Sequence, residues 1–520
     1  MPLPHEVAAS LNLAKSLRQS WEPRFQRLVE LAMPYTTHFF GNDDGSNGQA
    51  RQVLYDETGM VAVEEFANRL QNGIVPNGLE WARFETSDRM SDEDKAGLQR
   101  VQREMFRQLS NTNFEPETQS SMRDLAGFGN LCLALDHGDW MAPIRFQSIN
   151  FANAFITPGM GAAFGDIHVR RRVPGYVIKA MYPDATMPEA VERNLSHMFW
   201  LWDSWIRDLG AAVETWRQVC HVEERDVLHM RDHEGQGSCR YVFARWTRGS
   251  GELYGTGQGM KALPAMEVVN QSIGDLMAHA ALALAGMWQA EDDGVLNPYS
   301  VQLVPGAIIP IAPGSGGLKP LVQPGTRLEI GDLVIEQQRM QIRKVLYNET
   351  LTSRTADTPL SAMEISERMR ELARQIGPAY GWVWQEFVVP LLARVRKILV
   401  ERGVIRMPII DGRRIKVASA SSMVRAAAQG EVQMVDRWIA GMLQVYGPQA
   451  VAARLPIDKY IAYSVERLGI PADLPYDEAQ ARAKMVETGQ MLGQAAASVQ
   501  QAGIDPQSVL GPAMKMMGAG

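Results

Sequence analysis

Three groups of residues in this 520-residue chain have types and spacings that chemistry could use. Gly255, Gly257 and Gly259 with Lys261 could cradle a phosphate, because bare backbone amides ahead of a helix attract anions. A P-loop requires Gly-Lys followed by Ser or Thr. Here Met260 precedes Lys261 and Ala262 follows it, so the segment reads as a turn entering a helix. Cys220, His221, His229, His233 and Cys239 contain enough ligand types for zinc, yet they fall in a stretch that reads as strand and turn. There, a step of four residues does not align two imidazoles as a helix would. The paired acids Asp43–Asp44 and Asp292–Asp293 suggest metal-assisted chemistry, but both lie beside glycines, where aspartate caps local amides. No Gly-x-Ser-x-Gly elbow occurs. No catalytic, cofactor-binding or metal-binding residue is assigned, and no cofactor is expected.

The elements around the glycine turn are more telling. LPAMEVVNQSIGDLMAHAALALAGMWQA places Met266, Val269, Ile273, Leu276 and Ala280 on one helical face, which predicts a rod of roughly 40 Å. Asp292-Asp293-Gly294 is expected to stop it. The next segment is apolar but so rich in Pro and Gly that no long helix or strand can persist, and burial against a neighbouring subunit explains it better than exposure. GDLVIEQQRMQIRKVLYN then returns with Ile335, Ile342 and Leu346 in a stripe, completing two antiparallel helices joined at a tip. A polar loop, NETLTSRTADTPL, leads to Ser361 and Glu364, which fit a capping box. The helix they open carries Ile365, Met369, Leu372 and Ile376, is interrupted by Pro378 and Pro390, and closes at Gly403.

This order resembles the portal, or head-to-tail connecting, proteins of short-tailed bacteriophages. The resemblance rests on YGTGQGMKALPAMEVVN, TPLSAMEISERMRELARQIGPAYGWVWQEFVVPLLARV, WEPRFQRLVELAMPY and DETGMVAVEEFANRLQNGIVPNGLEWARFE, taken as an ordered set. Where the family usually has Thr-Ala-Thr-Glu, this chain has Leu360-Ser361-Ala362-Met363-Glu364, keeping a cap serine and the glutamate. The resemblance implies a mostly helical α+β portal fold of wing, stem, clip and crown, assembled as a ring. Its parts would be a wing over 1–262, a first stem helix over 263–290, a clip over 291–328 and a second stem helix over 329–347. A tunnel loop over 348–360, a long kinked helix with a return to the wing over 361–474, and a crown over 475–520 would follow.

The same resemblance implies a DNA channel at one capsid vertex, serving packaging, ejection and the joining of head to tail, with no hydrolysis of its own. The tunnel loop would present Asn348, Glu349, Thr352, Arg354 and Asp357. Arg354 could touch phosphate or pair with Asp357 or Glu349. Gln338, Arg339, Arg343 and Lys344 could supply pore or intersubunit contacts or form a solvated helix face. Asn297, Pro298, Tyr299 and Lys319 belong to the clip. The implied partners are eleven further copies in a dodecamer, a terminase, capsid and scaffolding proteins, tail adaptors and non-specifically held double-stranded DNA. The implied location is the virion, after synthesis in the host cytoplasm. A non-conducting ring or adaptor, and an enzyme with an unrecognised site, are the other function classes.

Bulk properties agree. With 46% hydrophobic residues the chain can bury a sizeable core, and its length suits two to four domains. A net charge of −7 argues against a sequence-reading DNA binder but is compatible with a conduit that must not grip DNA. Three cysteines are too few and too odd for a disulfide framework and suit a reducing compartment. The N-terminus reads as an amphipathic helix without a signal-peptide core, and LMAHAALALAGMW is too short to span a bilayer.

Elsewhere the pattern predicts several helices up to about residue 135, including Leu54 to Leu70 with Ala62, Phe66 and Leu70 on one face. IRFQSIN, ANAFITP, DIHVRRRV and YVIKAMY read as strands between Pro143 and Pro183. A helix carrying Trp200, Trp202, Trp205 and Trp216 is expected from about Met187 to Glu224, followed by a strand pair, RDVLHMRD with SCRYVFARWTR. A hairpin about Asp411-Gly412 is expected near the end, then helix, then an Ala/Gln/Met/Gly-rich tail.

Overall fold

Val7, Leu11, Ala14 and Arg18 recur every three or four residues in α1 (His5–Gln19), and that whole face is buried. α2 (Glu22–Ala32) buries Phe25, Leu28 and Val29, and α3 (Thr58–Ile74) buries Ala62, Phe66 and Leu70, the face expected from their spacing. The computed structural model describes residues 2–36, 39, 53–78, 80–86, 92–160, 163–285, 288–289, 319–320, 328–348, 375–377, 379–406, 415–419, 422–452, 455, 460–461 and 463–464. The chain divides into two units, Met1–Ser422 and Met423–Gly520. The architecture is α+β, with helices outweighing strands.

In the first unit, β1 (Ala82–Thr86), α4 (Asp92–Ser110) and α5 (Phe114–Gly127) lead to β2 (Asn130–His137) and β3 (Ile144–Ile149). A five-stranded antiparallel meander follows: β4 (Ala154–Pro158), β5 (Phe164–Pro174), β6 (Met198–Asp208), β7 (Thr215–Val222) and β8 (Asp226–Glu234). Between β5 and β6 lie α6 (Gly175–Met181) and α7 (Glu189–Arg193), whose Ile178 and Val191 pack with Val173, Leu201 and Val222 on one sheet face. On the other, Leu11 and Ala14 of α1 meet Phe155 and Trp202. β9 (Tyr241–Arg245) pairs with β2, which β3 flanks on its other edge.

Phe25, Phe39, Phe128, Phe151 and Tyr254 meet at centroid separations such as 5.1 Å for Phe25–Phe151 and 5.4 Å for Phe128–Phe151. Into this cluster projects the fully buried Arg18, its guanidinium 4.9 Å from the Phe39 ring, 4.6 Å from Phe151 and 4.5 Å from Phe155. It donates to the carbonyls of Ala154 and Phe151. Burial lowers its pKa to about 10, which leaves it charged at neutral pH, against the partial support of Tyr254 and Glu22.

α8 (Gln258–Ala285), a two-residue pair of β10 (Trp288–Gln289) with β11 (Lys319–Pro320), and α9 (Leu328–Val345) come next. A π-helical turn at Trp384–Val388 runs into α10 (Val389–Glu401), and β12 (Ile415–Ser419) returns to pair with β1. In the second unit α11 (Ser422–Ala452) is broken at Gly447, whose φ of 77° leaves the helical region. Among the described residues no helix is long and apolar enough to cross a membrane.

Three expectations are corrected. The tryptophan-rich stretch holds only the short α7 and then the strands β6 and β7. Both faces of β6 are covered, by α1 on one side and α6 and α7 on the other, so its apolar run lacks the alternation that marks a half-exposed strand. YVIKAMY is helix α6. RDVLHMRD and SCRYVFARWTR are both strands but lie in different sheets, as β8 and β9. Ile415–Ser419 is a strand, β12, paired with β1, and the hairpin expected about Asp411-Gly412 lies outside the described residues.

Asp124 of α5 is buried and accepts the Phe151 amide at 3.0 Å. Burial pushes its carboxyl up to about 7, above the ordinary 3.8, despite that hydrogen bond and Arg123. The folded state then holds a proton that the unfolded chain has lost. Its stabilisation is complete below 3.8 and is lost as pH rises through about 7. Asp124→Asn retains an acceptor for Phe151, so its Tm relative to wild type should climb between pH 4 and pH 7.5. A difference that stays constant across that range would mean Asp124 ionises normally.

Candidate functional site

α8 and α9 lie side by side as an antiparallel pair, since Gln258 at the start of α8 donates to the Tyr347 hydroxyl just past the end of α9 at 3.0 Å. Burial along the expected stripe decays with distance from that root. Met266 and Val269 of α8 are buried, Ile273 and Leu276 are half-buried, and Ala280 is exposed. On α9, Ile335, Ile342 and Leu346 are buried as their spacing predicts. The rod also exposes Val268, Met277, Leu333, Val334 and Met340, with Leu333 at 70% and Met277 at 57%. α8 ends at Ala285, ahead of the expected Asp292 stop.

The glycine turn at the root meets protein backbone. A Cβ on Gly257 would lie 2.4 Å from the Gly127 carbonyl oxygen and 2.5 Å from the Gly129 nitrogen, and one on Gly255 would lie 2.3 Å from the Gly129 oxygen. Gly129, at φ +82°, is equally closed: its Cβ would meet the Gly257 nitrogen at 2.2 Å. Two chain segments touch main chain to main chain here, joined by Gly257 N–H to Phe128 O (3.1 Å), Trp246 N–H to Gly129 O (2.9 Å) and a reciprocal pair between Gly255 and the Asn130 amide (2.8 and 3.1 Å). The amides that could have cradled a phosphate are engaged or covered.

At the same root Tyr347 has a left-handed φ of 58°, a strained value for an aromatic residue, and packs 5.7 Å from Phe66 while Arg69 donates to its carbonyl. Asn348, expected at the start of the tunnel loop, is only 2% exposed and donates to the Ala62 carbonyl at 3.0 Å, so it anchors the chain leaving α9. A cleft of about 480 Å³ opens between α3 and α9, lined by Tyr55, Asp56, Glu65, Arg339, Arg343 and Asn348 among others. Arg339 is committed within the chain, 2.7 Å from Asp56 and 2.7 Å from Glu336. Burial alone would raise the Asp56 carboxyl, but hydrogen bonds from Thr58 and Arg339 outweigh it and hold it below the usual range. Arg343 lines the cleft half-buried, Gln338 is half-buried and Lys344 is exposed. Glu349, Thr352, Arg354, Asp357, Asn297, Pro298 and Tyr299, with the capping residues Ser361 and Glu364, lie outside the described residues, and Lys319 falls in β11.

The kink expected from Pro390 takes the form of the π-turn, because a residue without an N–H leaves a carbonyl one turn earlier without its helical donor. That turn carries Glu386, which accepts three bonds from Arg245 at the end of β9: from the backbone amide (3.0 Å), Nε (2.9 Å) and a terminal nitrogen (2.5 Å). Arg245 is 2% exposed. Beyond the turn, α10 grips the sheets through main-chain carbonyls. Arg394 donates to Leu135, Gly237 and Ser238, Lys397 donates to Glu234, and Arg402 donates to Gly138. Gly403 closes the helix at φ +70°, as expected. Neither Glu386 nor Arg245 stood out in the sequence, where each is one charge within an apolar run.

The zinc-like set does not converge. Cys220 faces Asp203, His221 meets Ser204 on the opposite side of the sheet, and among the described residues no three metal-ligating side chains gather. Asp203, itself buried, is bound by Arg240 (3.0 Å), Gln218 (3.0 Å) and Tyr241 (2.9 Å). Burial would raise its pKa, and these partners bring it below the ordinary value.

Gly257→Ala should destabilise by about 3 kcal/mol or more, since backbone cannot yield to a methyl group as a side chain can. Gly331→Ala, at an open helical position of α9, should gain up to about 1 kcal/mol. Urea titrations would separate the two. Glu386→Gln, which leaves a buried guanidinium uncompensated, should cost about 3 kcal/mol, and Arg245→Met combined with Glu386→Leu should cost less. A double variant no better than the single would point to strain in the π-turn instead.

The chain is similar to several known proteins. A probable portal protein of Bordetella phage BPP-1 is 21% identical over 529 residues, covering 95% of this chain and 93% of its own. A chain from the neck of an empty gene transfer agent particle covers 80% of this chain and 90% of its own at 14% identity and a TM-score of 0.36. One from the virion of the native particle covers the same shares at 15% identity and a TM-score of 0.35. The family model for the bacteriophage head to tail connecting protein matches residues 5–475, and the chain belongs to that family.

Proposed function

We propose that copies of this chain close into a ring of twelve at the head–tail junction of a phage particle, forming the portal through which DNA is packaged and leaves. The observation that carries this reading is the rod whose apolar surface outruns its cover. Val268 and Met277 on α8 with Leu333, Val334 and Met340 on α9 are exposed in one chain. A heterologous contact repeated around a closed ring would cover such a face in every copy and leave no free edge. The root supports the same reading. The rod is held by the glycine contact, by Asn270 bridging Tyr55 and Val53, and by Arg339 with Asp56, so it projects at a set angle.

In this reading residues 1–262 form a wing, 263–290 and 329–347 the stem, 291–328 the clip, 348–360 the tunnel loop, 361–474 the long helix with its return, and 475–520 the crown. The ring lines its channel with Glu349, Thr352, Arg354 and Asp357, while Asn348 roots that loop. Arg343, Lys344 and Gln338 are placed for contact with a neighbouring copy or the channel, and Arg339 serves the fold of its own chain. The clip, with Asn297, Pro298, Tyr299 and Lys319, meets a terminase during packaging and tail adaptors afterwards. Capsid and scaffolding proteins surround the wing. The protein contributes a passage and docking surfaces and leaves hydrolysis to its partner.

Light scattering with negative-stain electron microscopy tests this directly. Twelve copies of a 57.8 kDa chain give about 694 kDa, with an open centre of roughly 20 Å or more, wide enough for a duplex. Leu333→Asp with Met340→Asp should shift the particle to monomers with unchanged circular dichroism. A wild-type monomer at all concentrations would overturn the ring, and a ring closed at its centre would favour an adaptor that conducts no DNA.

A further inference from the structure

Five side chains from four elements form one hydrogen-bonded line through the meander and the helix that covers it. Ser10 of α1 donates to Asp166 of β5 and meets Nε2 of His168 at 3.0 Å. Nδ1 of His168 meets Ser204 of β6 at 2.9 Å, and Ser204 meets Nε2 of His221 of β7 at 3.2 Å. His168, Ser204 and His221 are fully buried.

Proton counting fixes the direction of every bond. The single hydroxyl hydrogen of Ser10 is spent on the carboxylate, so the Ser10 oxygen must accept from His168, whose Nε2 therefore carries the hydrogen. Neutral His168 then has a bare Nδ1 that accepts from Ser204. With its own hydrogen spent, Ser204 accepts from Nε2 of His221. His221 is left with a bare Nδ1, which is buried without a hydrogen-bond partner. All donors point toward Asp166, and the one open acceptor stands at the far end.

We propose that this line is an acid-sensitive latch holding α1 on the sheet, with its direction set by Asp166 as the acceptor at one end and its opening point the bare Nδ1 of His221. A proton arriving there creates a buried cation against the Trp202 ring, which His221 stacks on and over which the Lys15 ammonium already lies at 4.9 Å. The charged groups near the line are Lys15 from α1, paired with Glu224 just past β7, and Asp166 and Arg170 from β5; Asp203 of β6 acts from the opposite face of the sheet, and β4 brings no titratable side chain. Burial, with Lys15 adding to it, lowers His221 to about 4 and His168 to about 3, while Asp203 partly supports the His221 cation. Once α1 lifts, an imidazole regains its ordinary value of 6.5 and captures a proton. Each histidine so exposed multiplies the opening equilibrium by about thirty between pH 7.5 and pH 5.0.

Hydrogen–deuterium exchange of the full chain at those two pH values, corrected for intrinsic rates, reads the opening of α1 against α3 as an internal control, since α5 carries Asp124, which titrates in the same range. Wild type should lose at least thirty-fold more protection in α1 than in α3. His221→Phe keeps a ring on Trp202 without an acceptor and should reduce that difference about thirty-fold. Asp166→Asn provides a second arm. Its carbonyl oxygen retains the Arg207 amide, which now lies 3.0 Å from Oδ1, so its amino group faces Ser10 and reverses the line. The reversed line ends in an N–H of His221 with no acceptor, and α1 should open about tenfold more readily already at pH 7.5. Parallel loss of protection in α1 and α3, a His221→Phe variant with wild-type pH dependence, or an Asp166→Asn variant with unchanged α1 exchange would each overturn the latch.

Discussion

Everything the rod can do depends on two stretches of main chain touching without side chains between them. Gly127 and Gly129 on one side, and Gly255, Gly257 and Gly259 on the other, bring the end of α5 into van der Waals and hydrogen-bond contact with the entrance to α8. Side chains flex by rotation, whereas a backbone contact of this kind has few soft degrees of freedom. The direction of the rod is therefore inherited from α5 and β2, whose facing residues are buried. Asn130 completes the joint by bonding both polar groups of Gly255, so that neither is left unpaired as the chain turns.

A second theme is the use of buried arginine as a fastener between elements. Arg18 joins α1 to the start of the meander, Arg245 joins β9 to the π-turn, Arg240 joins Asp136 to Asp203, and Arg394 joins α10 to the loop after β8. A planar guanidinium with five donors can satisfy several carbonyls or a whole carboxylate at once, which suits junctions where regular hydrogen-bonding ladders stop. Arg18 shows the balance of effects: aromatic rings and two carbonyls compensate enough of the desolvation that the group remains cationic at neutral pH.

How much of this was legible in the sequence differs by element. The stripes of α3 and α9 were, and that of α8 as far as Val269, because a helix that buries one face states which by its spacing. β6 was not, since Trp200, Leu201, Trp202, Asp203 and Trp205 have covered neighbours on both sides and the period of two is erased. The pairings of β9 with β2 and β12 with β1 depend on contacts far apart along the chain, and local pattern contains no record of them. The glycine turn was recognisable as a helix entry, but its purpose required knowing that Gly127 and Gly129 oppose it. Among the stem residues, Arg339 looked as free as Arg343 until Asp56, almost three hundred positions away in sequence, was seen to claim it.

The pairing of β1 with β12 has a consequence in time. Residues 82–86 leave the ribosome early, yet their partners at 415–419 are among the last structured residues of the first unit to be made. At typical elongation rates of about 5–20 residues per second, β1 waits roughly 15 to 65 seconds for its mate. During that interval the nascent chain presents an open strand edge beside an α4 whose final neighbour has not been synthesised. Completion of this small sheet thus reports that α8, α9 and α10 have already been translated, and it ties maturation of the surface around β1 to synthesis of nearly all of the first unit.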